Sequence, residues 1–133
     1  MVWMTLWDFL SPRKENLILR WTRQNRLYER DRAKLNQKLD RLQQLDFNLA
    51  TRTGMLIGPL HGQEHIFKLV VNGNVKMRPL LCKGPINERS EYTLLLGVVQ
   101  RDGRFPPDAA QKAESNRGAV LKDPERRQLH ERF

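Results

Sequence analysis

The chain has 133 residues and a formal net charge of +9, from 24 Lys+Arg against 15 Asp+Glu. With 39% hydrophobic and 29% charged residues, it has the composition of a soluble, globular, one-domain chain and not of a disordered or fibrous one. No apolar run approaches the ~20 residues of a membrane span. The opening MVWMTLWDFL is interrupted by Asp8 and lacks a basic leader, so no signal peptide is expected.

Cys82 is the one cysteine; an internal disulfide is excluded, and a reducing, cytoplasmic setting is expected. The positive balance points to a polyanionic partner, because summed charge concentrates nucleic acid at the surface.

Residues 2–9 are rich in aromatic and β-favouring types and predict a first strand. Ser11-Pro12 then has the form of an N-cap followed by proline at the first helical position. Leu17, Trp21, Leu27, Leu35, Leu39, Leu42 and Leu45 fall at helical steps. The span is long for one globular helix, which predicts a helical hairpin split near Gln24–Arg26. Its outer face carries Arg13, Lys14, Arg20, Arg23, Arg30, Arg32, Lys34, Lys38 and Arg41, as a solvated helical face would.

Residues 46–54 are polar and predict a loop. MLIGPL predicts a short strand ended by Gly58-Pro59. IFKLVV-NG-NVKMRPLL predicts a hairpin turning at Asn72-Gly73. Alternation sends Phe67, Leu69, Val71, Val75 and Met77 inward, and Lys68, Lys76 and Arg78 outward. Pro79 restricts the second strand to an edge or a bulge. The uncharged run YTLLLGVV reads as a central strand covered on both faces. Pro106-Pro107-Asp108 then starts a helix that Gly118 would end, and Asp123-Pro124 has the form of a second helix start, for ERRQLHERF. The fold expected is α+β: an N-terminal strand and helical hairpin packed on a small, mainly antiparallel sheet, with a C-terminal helix.

Three common chemistries are missing from the sequence: a phosphate loop, paired-cysteine zinc spacing and a nucleophile elbow. His61 and His65 are four apart, but Gly62 between them argues against a metal-binding helix, and no cofactor is expected. Between Phe67 and Lys83 there are four basic residues and no acidic one. Lys68, Lys76 and Arg78 would lie side by side on the hairpin's outer face, where like charges repel unless an anion sits among them. Arg101 and Arg104 flank Asp102-Gly103, a tight turn between the central strand and the helix. They are expected to converge with Lys76 and Arg78 on a phosphate, to which arginine can fork.

In order and spacing, three segments resemble the RelE/HigB toxin superfamily of bacterial type II toxin–antitoxin systems, most closely its phage-derived branch. They are WDFLSPRKENLILRW, IGPLHGQEHIFKLVVNGNVKMRPLL and LLLGVVQRDGRFPPDAAQKAESNR. The resemblance implies a single RelE-like toxin domain over 1–133, with 118–133 as a C-terminal helical extension. It implies ribosome-dependent mRNA cleavage, in which a ribose 2′-hydroxyl attacks the neighbouring phosphate. The expected partners are mRNA on the ribosome and a cognate antitoxin protein, with no membrane.

Arg78 matches the family's strand arginine, a phosphate contact, and Arg101 matches the second member of its basic pair. Arg78, Arg101 and Arg104 would stabilise charge on the phosphorus, His61 or His65 would move the proton, and Lys68, Lys76 and Lys83 would steer RNA. Gln100 stands where a lysine is usual and Val70 where a basic residue is common. No tyrosine follows Tyr92. A non-catalytic nucleic-acid or protein binder, for example one directed at gyrase, is the alternative those departures allow.

Overall fold

β1 (Thr5–Phe9) lies parallel to β7 (Glu91–Leu96) near the middle of a six-stranded sheet; the computed structural model describes residues 3–25 and 27–133. β2 (Leu56–Ile57), β3 (Phe67–Leu69), β6 (Leu80–Lys83) and β7 form an antiparallel run. The order is β2-β3-β6-β7-β1-β8, with β8 (Arg127–Leu129) antiparallel to β1 at the edge. β4 (Val71–Asn72) and β5 (Lys76–Met77) form a separate two-stranded ribbon. The expected α+β class and mainly antiparallel sheet are both present. No helix among the described residues is long and apolar enough to cross a membrane. Val2 and Arg26, on which two of the expected boundaries fall, lie outside the described residues.

Side-chain alternation puts a hydrophobic cluster on each face of the sheet. Leu6, Tyr92, Leu94, Leu81, Phe67 and Leu69 meet Ile18, Trp21, Leu35, Leu39 and Leu42 from α1 (Leu17–Gln24) and α2 (Glu29–Gln43). On the other face Leu80, Cys82, Leu95 and Val98 meet Ala109 and Ala113 of α4 (Ala109–Lys122). Each leucine removed from water contributes about 1.5–3 kcal/mol; β7 is buried from Glu91 to Leu95, and its polar members Glu91 and Thr93 are both bonded by Arg127. A bulge at Leu80/Leu81 follows Pro79, which cannot donate to a ladder.

Several local expectations are corrected. Ser11-Pro12 does not start α1: Ser11 Oγ accepts from the amides of Arg13 and Glu15, closing a turn with Lys14 at φ 64. Asn16 is the cap instead, its Oδ1 accepting from Leu19 N at 2.9 Å. Residues 46–54 are no loop but contain α3 (Phe47–Arg52), capped by Asp46 Oδ1 on Leu49 N.

Asn72-Gly73 is not a two-residue turn. Asn72 pairs with Lys76 and Gly73–Val75 make the loop, because the buried Asp31 carboxylate of α2 accepts from Asn74 N at 2.8 Å. Gly73 is required there, since a Cβ would stand 2.0 Å from Asp31 Oδ1. α4 runs through Gly118, where a Cβ would meet nothing within 4 Å, and stops at Lys122. The tail beyond Pro124 is a strand and not a helix. Arg127 grips Glu91 (Nη1–Oε2 2.6 Å), His130 Nδ1 meets Asp8 Oδ1 at 2.9 Å, and Phe133 exchanges two hydrogen bonds with Asn36. These anchors draw the segment onto β1.

Candidate anion-binding cleft

β1 and β7 are parallel neighbours, and the helices that follow them pack on opposite faces, α1 in the first cluster and α4 in the second. Such a divergence leaves a crevice past the carboxyl ends of the strands, where ligands bind in open α/β sheets. Here a hollow of 260 Å³ opens beyond β7, lined by Trp21 of α1 and its C-cap Asn25, by 96–99 and Arg101, and by Asp108, Ala109 and Lys112 at the start of α4. A second hollow, of 570 Å³, shares Val99, Arg101 and Pro106 with it and adds Asp102, Arg104, Phe105 and Pro107. Arg101 therefore stands between the two.

The turn that carries the arginines is built as its sequence requires. Asp102 and Gly103 both have positive φ, 52 and 70, as a type I′ turn demands, and Arg104 N donates to Arg101 O at 2.8 Å. Arg101 and Arg104 are directly bridged, so their side chains leave the ribbon on the same side. Both are exposed, and neither joins an ion pair with the described residues. Like charges opposed across a ladder repel, and an anion held between them removes that repulsion. Lys112 adds an ammonium on the α4 side, 3.2 Å from Asp108 Oδ2.

After β7 the chain pairs with the ribbon: Arg78 N donates to Val98 O, Gln100 N donates to Lys76 O, and Met77 bridges Val99. By alternation Lys76, Arg78, Val98 and Gln100 share one side, and Val99 and Arg101 the other. The expected gathering of Lys76, Arg78 and Arg101 on one side of the sheet is thus corrected.

Arg78 points away from Met77 as alternation requires, but that side is covered and the residue is only 7% exposed. Nε donates to Gln100 Oε1 (3.0 Å), Nη1 to Met77 O (2.8 Å) and Val71 O (3.4 Å), and Nη2 to Asn72 Oδ1 (3.1 Å). Every acceptor is neutral, and desolvation draws its pKa below the ordinary arginine value. Gln100 in turn donates from Nε2 to Gly103 O at 3.2 Å, so the buried arginine braces the turn.

The remaining sequence candidates divide between the two ends of the sheet. Lys68 places Nζ 5.4 Å from the ring centre of Phe105, a wall of the larger hollow, and exposed Lys76 lies opposite Gln100. Lys83 is at the far end of β6, over Phe47 at 4.9 Å and 3.9 Å from Glu88. His61 and His65 are exposed in the segment that enters β3 at Phe67, opposite Leu81, and His65 faces Glu64 at 3.7 Å. Neither lines the two hollows, whose only carboxylates are Asp102 and Asp108.

Sequence reasoning missed Asn25, Trp21 and Lys112. Lys112 was visible as the first cation of the helix after the double proline; the approach of α1 was not. The indole covers Gly97, whose Cβ would stand 1.9 Å from Trp21 Cδ2. In the comparisons with known proteins, no family model, curated protein or solved structure matches the chain.

Proposed function

We propose that this chain is a RelE/HigB-like toxin domain that binds RNA at the Arg101–Arg104 turn and cleaves mRNA on the ribosome, acting in the cytoplasm and held in check by a cognate antitoxin protein. The observation that carries the reading is the pair of bridged arginines, without an ion pair among the described residues, between two hollows past the carboxyl end of β7. The strand, helical hairpin, antiparallel run and helix that place them follow the order of the resembling segments.

Arg101 and Arg104 would take a phosphodiester between them, with Lys112 on the helix side and Lys68, beside Phe105, steering the strand; Lys76, on the other side of the ribbon, has no part in it. As the 2′-oxygen forms its bond to phosphorus and the bond to the 5′-oxygen breaks, charge accumulates on the non-bridging oxygens, where guanidinium groups stabilise it. The proton of the 2′-hydroxyl would pass to a carboxylate, Asp102 or Asp108, and the leaving 5′-oxygen would take one from Lys112 or water. Arg78 has a bracing part and not a contact part in this scheme.

The test is primer extension on mRNA bound to programmed ribosomes. The expected result is cuts at codon-linked positions that Arg101→Ala and Arg104→Ala reduce by on the order of a hundredfold. Intact message at high protein concentration overturns the cleavage reading. A second reading, a non-catalytic nucleic-acid binder, is favoured by the absence of histidine from both hollows and by the commitment of Arg78 to neutral acceptors. It predicts the same loss of RNA affinity in both variants with no cuts.

A further inference from the structure

The two hollows that meet at Arg101 have one aromatic wall each: Trp21 in the smaller and Phe105 in the larger. A guanidinium between two such hollows matches a step of single-stranded nucleic acid, its phosphate on the turn and its two bases splayed apart. At 260 Å³ the smaller hollow falls just below the ~300–1,000 Å³ of drug-sized sites, a size for one heterocycle. Its walls beside Trp21 are apolar, from Leu96, Val99, Pro106 and Ala109.

Trp21 is 7% exposed, and its Nε1 is buried with no hydrogen-bond partner among the described residues. Buried donors are nearly always satisfied, so this indole N–H marks the hollow as one that takes an acceptor. Gly97, with no side chain, lets the indole close in to form the wall. Asn25 donates from Nδ2 to Trp21 O at 2.8 Å. That bond fixes the amide and leaves Oδ1 and the second Nδ2 hydrogen, a pair that matches the donor and acceptor on the edge of adenine.

The larger hollow has no side-chain amide among its lining residues. Its aromatic wall, Phe105, has Lys68 Nζ 5.4 Å from the ring centre. An aromatic ring beside a cation holds bases with little regard to sequence, because every base has a π-face. Splaying also suits a displacement at phosphorus. The attacking 2′-oxygen, the phosphorus and the leaving 5′-oxygen must come into line, and a stacked strand holds them out of it.

We propose that the cleft reads one step of single-stranded RNA, with an adenine in the Trp21–Asn25 hollow and the neighbouring base, of any kind, stacked on Phe105. Trp21 and Asn25 are then the residues that set its sequence preference. The inference rests on RNA being held at the Arg101–Arg104 turn, and it stands with or without cleavage.

The test uses the full chain and three short fluorescent single-stranded RNAs titrated by anisotropy: oligouridine with one internal adenosine, the same strand with that residue abasic, and oligouridine alone. The adenosine strand should bind about tenfold tighter than the other two. Asn25→Ala and Trp21→Phe should each remove most of that preference, whereas Phe105→Leu should weaken all three strands alike, by about tenfold. A thermal melt checks the fold of each variant, and the abasic strand reads the base contact in the parent chain without any substitution. Equal affinity of the parent chain for the three strands, with Arg101→Ala weakening them all, would overturn the inference and leave RNA binding at the turn intact. An adenosine preference that survives both Asn25→Ala and Trp21→Phe would overturn it as well, since the base would be selected elsewhere. RNA affinity indifferent to Arg101→Ala would remove the turn as the binding site, and this step with it.

Discussion

Arg78 donates through Nε to Gln100 Oε1 at 3.0 Å, across a ladder that joins the ribbon to the segment after β7. Gln100 passes the constraint on by donating to Gly103 O. The exposed arginines of the turn are therefore held by a buried one. Replacing Arg78 by methionine keeps the bulk but leaves Met77 O, Gln100 Oε1 and Asn72 Oδ1 without their donor, at a cost of about 1–3 kcal/mol for the orphaned groups. Urea unfolding measures it. A more stable variant would mean that relief of the desolvated charge outweighs the lost bonds.

Gln100 separates bracing from stability. Gln100→Glu keeps an acceptor for Arg78 and makes it charged, but removes the donor to Gly103 O. The expected outcome is a midpoint close to that of the parent with RNA affinity lowered several-fold. Combined with Arg101→Ala the loss should be less than additive, because the two residues act through one turn. Gln100→Lys sets a cation against a buried cation and should lower stability by about 1–3 kcal/mol. Anisotropy with a short RNA and urea titration read the two effects apart.

Gly97 predicts a close-packing defect. Its backbone lies under Trp21, and a Cβ would come within 1.9–2.4 Å of three ring atoms. Gly97→Ala must displace the indole or the strand end, and overpacking of this kind costs about 1–3 kcal/mol. Because Trp21 also lines the smaller hollow, the shift should appear in near-ultraviolet circular dichroism as well as in the melt. Trp21→Leu should recover part of the loss in the double variant.

What the sequence made legible followed from local periodicity. The two helices α1 and α2, the central strand β7 and the Asp102-Gly103 turn each satisfy a short-range rule, and each is present. α3 was hidden because a six-residue helix capped by Asp46 carries too few apolar residues to show a period. The tail was misread because Asp123-Pro124 has the form of a helix start, whereas its state is decided by Glu91, 36 residues away, and Asp8, 122 away. The candidate site was legible as a pair of arginines on a turn, not as a cleft. Alternation gives the face on which Arg78 lies, but not that the face is covered, and the walls supplied by α1 depend on how two distant segments pack.

Cys82 makes stability fall at alkaline pH. Burial, partly offset by the nearby Arg117 charge, pushes its thiol up to about 12, and the same burial raises Tyr92, whose hydroxyl donates to Leu45 O at 2.6 Å. Above the ordinary thiol value of about 8.5, the unfolded chain has lost a proton that the folded chain retains. The unfolded state then binds fewer protons, and stability falls as pH rises, by up to ~1.4 kcal/mol per unit from this group. Between pH 9 and 11, roughly the window that shift defines, Cys82→Ala should flatten the fall measured by urea midpoints. A thiol reagent at pH 8, below that window, should label Cys82 only at the rate of unfolding.

Glu91 and Arg127 form the most buried ion pair among the described residues without histidine, with side chains 7% and 6% exposed. Arg127 also lies 4.2 Å over the Trp7 ring and reaches Thr93 Oγ1 at 3.3 Å. Glu91 Oε2 accepts in addition from the amides of Ile86 and Asn87, so one carboxylate ties β8 and the 84–90 loop to β7. Glu91→Ala should cost about 3–5 kcal/mol, since it leaves a buried guanidinium uncompensated. Glu91→Gln retains an oxygen that can serve either the loop amides or Arg127, so it should cost less than Glu91→Ala while raising hydrogen exchange at Ile86 and Asn87. Glu91→Leu combined with Arg127→Met removes both charges and should recover part of the loss, short of the parent because those two amides remain without an acceptor. Were the double variant no better than Glu91→Ala, the loop contacts and not the ion pair would be what holds this edge of the sheet.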